Sequence, residues 1–271
     1  MLNHKQLTLF LLVILTSTTA FSQLGFSHEI GIITGPVAFK SDFGERLDPE
    51  TNAGNSGIGI GIVHYINFAY QANCNCYTTD NFFNDHFKLR TEISWNKTKL
   101  NHLGEWVQPY RNSVEAQKLR AHSGEANNLD VGMQLEYFPL SIRSFQAFGY
   151  RFAPFVSLGV HYVSYNPKVY TNYGDESITN MNNFYSPWYA TNPNLDADFP
   201  KPVDPTSGST WSVVSSIGVR YKLTMVSDLM LDLRGQYFGN DWIDGLNHEL
   251  NTNKYNDWLV WLNFGYIYYL D

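Results

Sequence analysis

Apolar and polar residues alternate along several stretches of the chain. In the clearest stretch, apolar or threonine side chains occupy the odd positions from Phe87 to Trp95, and polar side chains occupy the even positions from Lys88 to Asn96. A period of two predicts a β-strand with one apolar and one polar face.

The same alternation recurs often enough to predict about eight strands. The other segments lie near residues 28–37, 58–62, 129–137, 156–162, 211–221, 229–234 and 258–270. A soluble sheet would need a second layer, such as amphipathic helices, to cover its apolar face. No stretch of the chain has the pattern of an amphipathic helix. Every backbone polar group in hydrocarbon must be paired, so a sheet facing lipid has to close on itself. The pattern therefore predicts a single closed antiparallel transmembrane β-barrel.

The connections between the predicted strands alternate in length. Long ones lie near 40–56, 99–126, 166–208 and 239–255, and shorter ones near 72–85, 139–151 and 223–227. Outer-membrane barrels carry long loops outside the cell and short turns in the periplasm. This pattern predicts an outer-membrane barrel with both termini in the periplasm.

Aromatic residues gather near the predicted strand ends, as expected for girdles at the two membrane interfaces. We place Tyr65, Phe68, Tyr70, Tyr137, Phe138, Phe152, Tyr221, Tyr266 and Tyr268 in the periplasmic girdle. The outer girdle is predicted to contain Trp95, Tyr162, Tyr165, Trp211, Tyr237 and Trp258.

Composition agrees with this fold. Aromatic and charged residues each make up 16% of the chain, yet the mean hydropathy is −0.28, as expected when a polar lumen offsets an apolar outer face. The net charge of −7 argues against nucleic acid as a partner. Outer-membrane lipid and protein partners are expected instead.

The N-terminus has the features of a signal peptide. An apolar run from Leu7 to Leu15 follows Lys5, and Ala20 and Ser22 suit an A-x-A-like cleavage site. The run is too short for an ordinary transmembrane helix. We therefore expect residues 1–22 to be removed and residues 23–271 to form one barrel domain.

The polar face of the strands predicts a charged lumen. Its candidate members are Glu29, Lys88, Arg90, Glu92, Asp130, Glu136, His161, Arg220, Asp232 and Arg234. Acids and bases nearly balance, and an eight-stranded barrel has room for little besides side chains. We interpret the set as a hydrogen-bonded ion network that fills the barrel and fixes strand register, rather than a conducting or catalytic site.

Cys74 and Cys76 are the only cysteines, and they lie in a connection assigned to the periplasm. A metal site would need more ligands, and redox pairs usually have CxxC spacing. A tight CxC disulfide, free thiols, a redox-sensitive pair and a disulfide to a partner all remain open, and a structural role is expected. No metal or cofactor is expected.

Three further features have ordinary explanations beside functional ones. The glycines of 57–61 resemble a nucleotide-binding loop, but their strict alternation predicts a strand whose glycines make room in the lumen. Asp241, Asp244 and His248 could activate water, although such residues are common in solvated loops. The long loop at 166–208 suits either a contact surface or a folded lid over the barrel.

Several short motifs resemble small outer-membrane barrels of Bacteroidota. They are the segments 28–31 (HEIG), 43–44 (FG), 154–159 (PFVSLG), 218–223 (GVRYKL) and 241–244 (DWID). Their order is similar to that in PorG-type proteins associated with type IX secretion, and the fold expected is of the OmpA, OmpW and OmpX kind. The loop at 166–208 and the CxC turn depart from that pattern, and Asp271 stands where a terminal aromatic residue is commonest in outer-membrane barrels.

The resemblance implies a non-enzymatic barrel with a structural or accessory role, whose periplasmic turns contact a secretion or gliding complex. The alternative hypothesis is a narrow OmpW-like channel for small apolar solutes. An enzyme acting on lipid or peptide is the third hypothesis, and no catalytic motif supports it.

Overall fold

The computed structural model describes residues 26–45, 48–68, 82–190, 202–248, 250, 253 and 255–270. The strands are β1 (Ser27–Lys40), β2 (Ser56–Asn67), β3 (Phe87–Asn101), β4 (His122–Tyr137), β5 (Phe152–Tyr165), β6 (Lys168–Thr171), β7 (Gly208–Thr224), β8 (Ser227–Phe238) and β9 (Trp258–Tyr269). The helices are α1 (Pro49–Asn52), α2 (Phe82–His86), α3 (Val114–Ala121), α4 (Ile142–Gln146) and α5 (Pro187–Ala190).

The strands close into an antiparallel barrel. With β5 and β6 counted as one strand, each strand pairs with its neighbours along the chain, and β1 closes the barrel by pairing with β9. Strand β6 continues β5 beyond Pro167, because β4 pairs with both in one register, from Asn128↔Tyr165 to Glu125↔Lys168. The barrel therefore has eight strands, as the alternation predicts.

The two faces of the barrel wall differ in chemistry. Large apolar side chains such as Ile32, Leu158 and Ile217 are exposed on the outer face, whereas the lumen holds buried ionic and amide side chains. An apolar outside around a polar inside is the arrangement of a transmembrane barrel, because lipid surrounds the wall. Among the residues described, no helix is long and apolar enough to cross a membrane.

The long connections lie at one end of the barrel, here called the loop end, and the described chain termini lie at the other, the terminal end. Strands β3 and β4 extend beyond the predicted boundaries as a paired ribbon, with Asn101 opposite Ser123. The loop between them spans 102–121 rather than 99–126.

Residues 1–25 and 69–81 lie outside the described part of the chain. They include the predicted signal peptide, Tyr70, Cys74 and Cys76.

Three residues assigned to the aromatic girdles were placed wrongly. Tyr65, Phe138 and Tyr165 are buried in the interior. The parity of the strand explains Tyr65: its neighbours His64 and Ile66 point outward, so its own side chain points inward. The other predicted girdle residues that the structure describes, including Phe152 and Trp211, are at least partly exposed.

The glycines of β2 make room in the lumen, as predicted. A Cβ atom added to Gly59 would lie 2.4 Å from Cζ2 of Trp261, and Trp261 is fully buried under the guanidinium of Arg234. The indole therefore occupies the space that a side chain on β2 would need.

This contact predicts different outcomes for two glycine substitutions. Gly59→Ala is expected to lower the free energy of unfolding by about 1–3 kcal/mol because the buried indole must shift. Gly235→Ala is the control: its added Cβ would meet only Ser215 Oγ, at 3.9 Å, and should change stability by less than about 0.5 kcal/mol. Urea unfolding in lipid vesicles measures both. Equal effects would contradict the packing described here.

Candidate functional site

Charged side chains fill the lumen near the terminal end. Lys88 Nζ lies 2.5 Å from Glu29 Oε1, and Arg220 Nη1 lies 2.6 Å from Glu29 Oε2. Arg220 also reaches Glu136 at 3.2 Å and stacks over the ring of Tyr65 at 4.1 Å. One guanidinium thus joins side chains from four strands across the barrel.

The middle of the lumen continues this network. Arg234 binds both carboxylate oxygens of Glu92 at 2.7 Å. Arg90 contacts Glu92 at 2.7 Å, Asp232 at 3.0 Å and Glu136 at 3.5 Å. All of these side chains are buried, and buried ions need such partners to offset their desolvation.

Two predicted members lie in a separate layer nearer the loop end. Asp130 accepts hydrogen bonds from Gln236 at 2.6 Å and Asn96 at 3.2 Å, and its nearest approach to His161 is 3.9 Å. His161 contacts the side-chain amide of Gln134 at 3.2 Å. The structure therefore brings eight of the ten candidates into one ion network and places Asp130 and His161 among amides.

Sequence reasoning missed two charged residues. Lys222 Nζ lies 3.4 Å from Asp228 Oδ1, and Asp228 also accepts a hydrogen bond from the Tyr269 hydroxyl at 2.6 Å. Lys222 and Asp228 lie just beyond the strand ends that the hydropathy pattern predicts. The signal that would have found them is parity, because Lys222 continues the inward register of Arg220.

Helix α4 covers the lumen at the terminal end. Its two large apolar side chains, Ile142 and Phe145, are each only 1% exposed, and the ring of Phe145 lies 5.4 Å from Lys222 Nζ. Ser141 caps the helix by accepting from Ser144 N at 3.2 Å. We name α4 the plug helix.

Aromatic and histidine side chains from the four long loops and from the first residue of β4 cover the lumen at the loop end. Their members, here called the cap cluster, are Phe43, His102, His122, Phe184, Trp188 and His248. His102 Nε2 lies 2.8 Å from His122 Nδ1, and Trp188 stacks on His248 with ring centres 5.4 Å apart. Phe184 and Trp188 are buried, so this part of loop 166–208 packs into the cap cluster.

Two of the three residues considered for water activation, Asp244 and His248, connect two loops. Asp244 Oδ2 accepts a hydrogen bond from Asp42 N at 3.1 Å, and its Oδ1 accepts from Leu246 N at 2.8 Å. His248 N donates to Asp42 Oδ2 at 3.4 Å, while Asp241 lies half-buried in the same loop. With both Asp244 oxygens engaged by backbone N–H groups, the arrangement serves loop structure.

The described residues contain no group of three or more His, Cys, Asp or Glu side chains placed to hold a metal ion.

Neither a protein-family model nor a curated protein matches the sequence. The fold is similar to Neisserial surface protein A, with a TM-score of 0.42 and 11% identity over 89% of this chain and 96% of that one.

Two further solved structures are similar at the same level. The attachment invasion locus protein Ail of Yersinia pestis gives a TM-score of 0.40 and 11% identity, covering 91% of this chain and 100% of that one. OprG from Pseudomonas aeruginosa gives 0.39 and 13%, covering 90% and 97%. Similarity this low carries no information about ligand, partner or activity.

The cap cluster holds a histidine that resists protonation. Burial, reinforced by the nearby His248, lowers the pKa of His102 to about 3, although a hydrogen bond with the Phe43 backbone opposes the shift. In the unfolded chain a histidine has a pKa of about 6.5. Between these values the unfolded state binds a proton that the folded cap excludes, so cap stability falls as pH falls from about 6.5 to 3.

We therefore expect acid to open the cap. His102 should contribute a loss of about 1.4 kcal/mol for each pH unit below its unfolded pKa, measured as growing protease sensitivity of the loops. His102→Gln should reduce this pH dependence, whereas His86→Gln, at the other end of the barrel, should leave it unchanged. An identical pH profile for all three proteins would exclude this role for His102.

Proposed function

We propose that the protein is an outer-membrane barrel with a structural or accessory role, which binds protein partners at its two ends. The observation that carries the proposal is the filled lumen. Ion pairs and, nearer the loop end, hydrogen-bonded amides occupy its length, the plug helix covers one mouth and the cap cluster covers the other. Function therefore belongs to the loops and turns, because the barrel interior is occupied.

The outer-membrane location is part of the proposal. Its support is the apolar outer wall, since soluble proteins rarely expose apolar surfaces of that extent. We also propose that the terminal end faces the periplasm, because short turns lie there in outer-membrane barrels, and that residues 1–22 are a cleaved signal peptide. The motif resemblance to PorG-type barrels suggests a type IX secretion or gliding complex as the partner.

The alternative, a narrow channel for small apolar solutes, has less support. An apolar solute in this lumen would have to displace buried ion pairs, which leaves uncompensated charges. It would also have to pass Phe145 at one mouth or Trp188 at the other.

Site-specific photo-crosslinking in cells tests the partner proposal. A photoreactive amino acid is placed at Met225 in the β7–β8 turn, at Tyr255 in a loop, or at Leu158 on the outer wall; all three are well exposed. We expect discrete protein adducts from Met225 or Tyr255 and none from Leu158, which faces lipid. Protein adducts from none of the three would contradict the accessory role.

A further inference from the structure

A cavity of about 380 Å³ lies beside the cap cluster, between the long loops. Its size is within the range of small-molecule sites, which are typically concave and mostly apolar. The residues that line it come from all four long loops. The cavity is separate from the lumen network, because none of the lumen ion pairs contributes to its lining.

Aromatic rings form much of the cavity wall. Phe43, Trp106, Tyr185 and Trp188 all line it. Phe43 and Trp188 are held by ring contacts within the cap cluster, whereas Trp106 is half exposed at 53%. Aromatic faces carry partial negative charge, and the guanidinium of Arg111 already lies over the face of Trp106, 5.0 Å from the ring centre.

Two carboxylates and two histidine rings line the cavity. Among the described residues that line it, Asp42 and Glu45 carry carboxylates and none is a lysine or arginine. The low pKa of His102 keeps that ring neutral at physiological pH. Glu45 forms no ion pair with any described residue, and Arg111, which belongs to the same loop as Trp106, is already paired with Glu105.

We propose that this cavity binds a small organic cation with an apolar body, such as an arylalkyl ammonium ion. Aromatic faces attract a cation through their quadrupoles, and the carboxylate of Glu45 supplies the opposite charge. The apolar body of the ligand would replace water along the wall. The site functions in this way with or without a protein partner for the barrel.

Three ligands that differ mainly in charge test the proposal. Phenethylammonium, 2-phenylethanol and phenylacetate are titrated into the full-length barrel in detergent, and binding is followed by calorimetry. We expect saturable binding of phenethylammonium, at least about tenfold weaker binding of the alcohol, and the weakest binding of the anion.

Two glutamate variants locate the site. Glu45→Gln should reduce the affinity for phenethylammonium about tenfold, towards that of the alcohol, whereas Glu176→Gln, exposed on another loop, should bind as the wild type does. Trp106→Ala should weaken binding of both the cation and the alcohol. The proposal is overturned if phenylacetate or the alcohol binds as tightly as the cation, if no ligand binds saturably, or if the two glutamine variants behave alike.

Discussion

Replacing Arg220 with methionine is expected to lower the free energy of unfolding by about 3–5 kcal/mol. The guanidinium of Arg220 lies 2.6 Å from Glu29, 3.2 Å from Glu136 and 3.8 Å from Asp228. Its removal takes away a positive charge that these three buried carboxylates share, and the low dielectric of the lumen makes that costly. Urea unfolding in lipid vesicles, followed by gel mobility of unboiled samples, measures the loss.

Arg151→Met is the matched control. Arg151 is exposed near the same end of the barrel and contacts the Tyr221 hydroxyl at 3.3 Å. Its replacement should change stability by less than about 0.5 kcal/mol. Similar losses for the two variants would mean that the buried network does not support the fold.

Trp188→Ala is expected to open the cap while the barrel stays folded. Trp188 packs against His102, His122 and His248, with ring centres 5.3–5.5 Å apart, and truncating a buried tryptophan typically costs about 3–5 kcal/mol. The loss falls on the loops, because the strands have their own hydrogen-bonded ladders. Limited proteolysis should therefore cleave the loops, while unboiled protein keeps its shifted gel mobility.

Tyr255→Ala controls for a general effect on the loops. Tyr255 is an aromatic residue of the β8–β9 loop that is 74% exposed, so its truncation should leave protease resistance unchanged. Loss of the barrel's gel shift in Trp188→Ala would show that cap and wall unfold together, contrary to this description.

The barrel wall is predictable from sequence because a period of two assigns every residue of a strand to one face. Alternation across Phe87–Asn96 therefore identifies Lys88, Arg90 and Glu92 as lumen residues. The same rule, applied strictly, also places Tyr65 inside. The girdle assignment failed there because it relied on residue type and position along the chain without using parity.

The two covers of the lumen were harder to predict. The cap cluster joins Phe43, His102, Trp188 and His248 from four loops that have no common period, so only tertiary packing brings the rings together. The plug helix carried a weak local signal in its Ser141 cap and in the spacing of Ile142 and Phe145 on one helical face. Such a five-residue helix has too little periodicity to distinguish it from a turn.

A filled lumen with both mouths covered should not conduct ions. Planar-bilayer recording of the refolded full-length protein tests it most directly, with the shift in gel mobility on heating as proof that the inserted protein is folded. We predict no stable conductance steps above the bare-bilayer baseline. Reproducible, long-lived steps from the wild-type protein would contradict the claim, because a continuous aqueous path would then have to pass Arg90, Arg220 and Arg234.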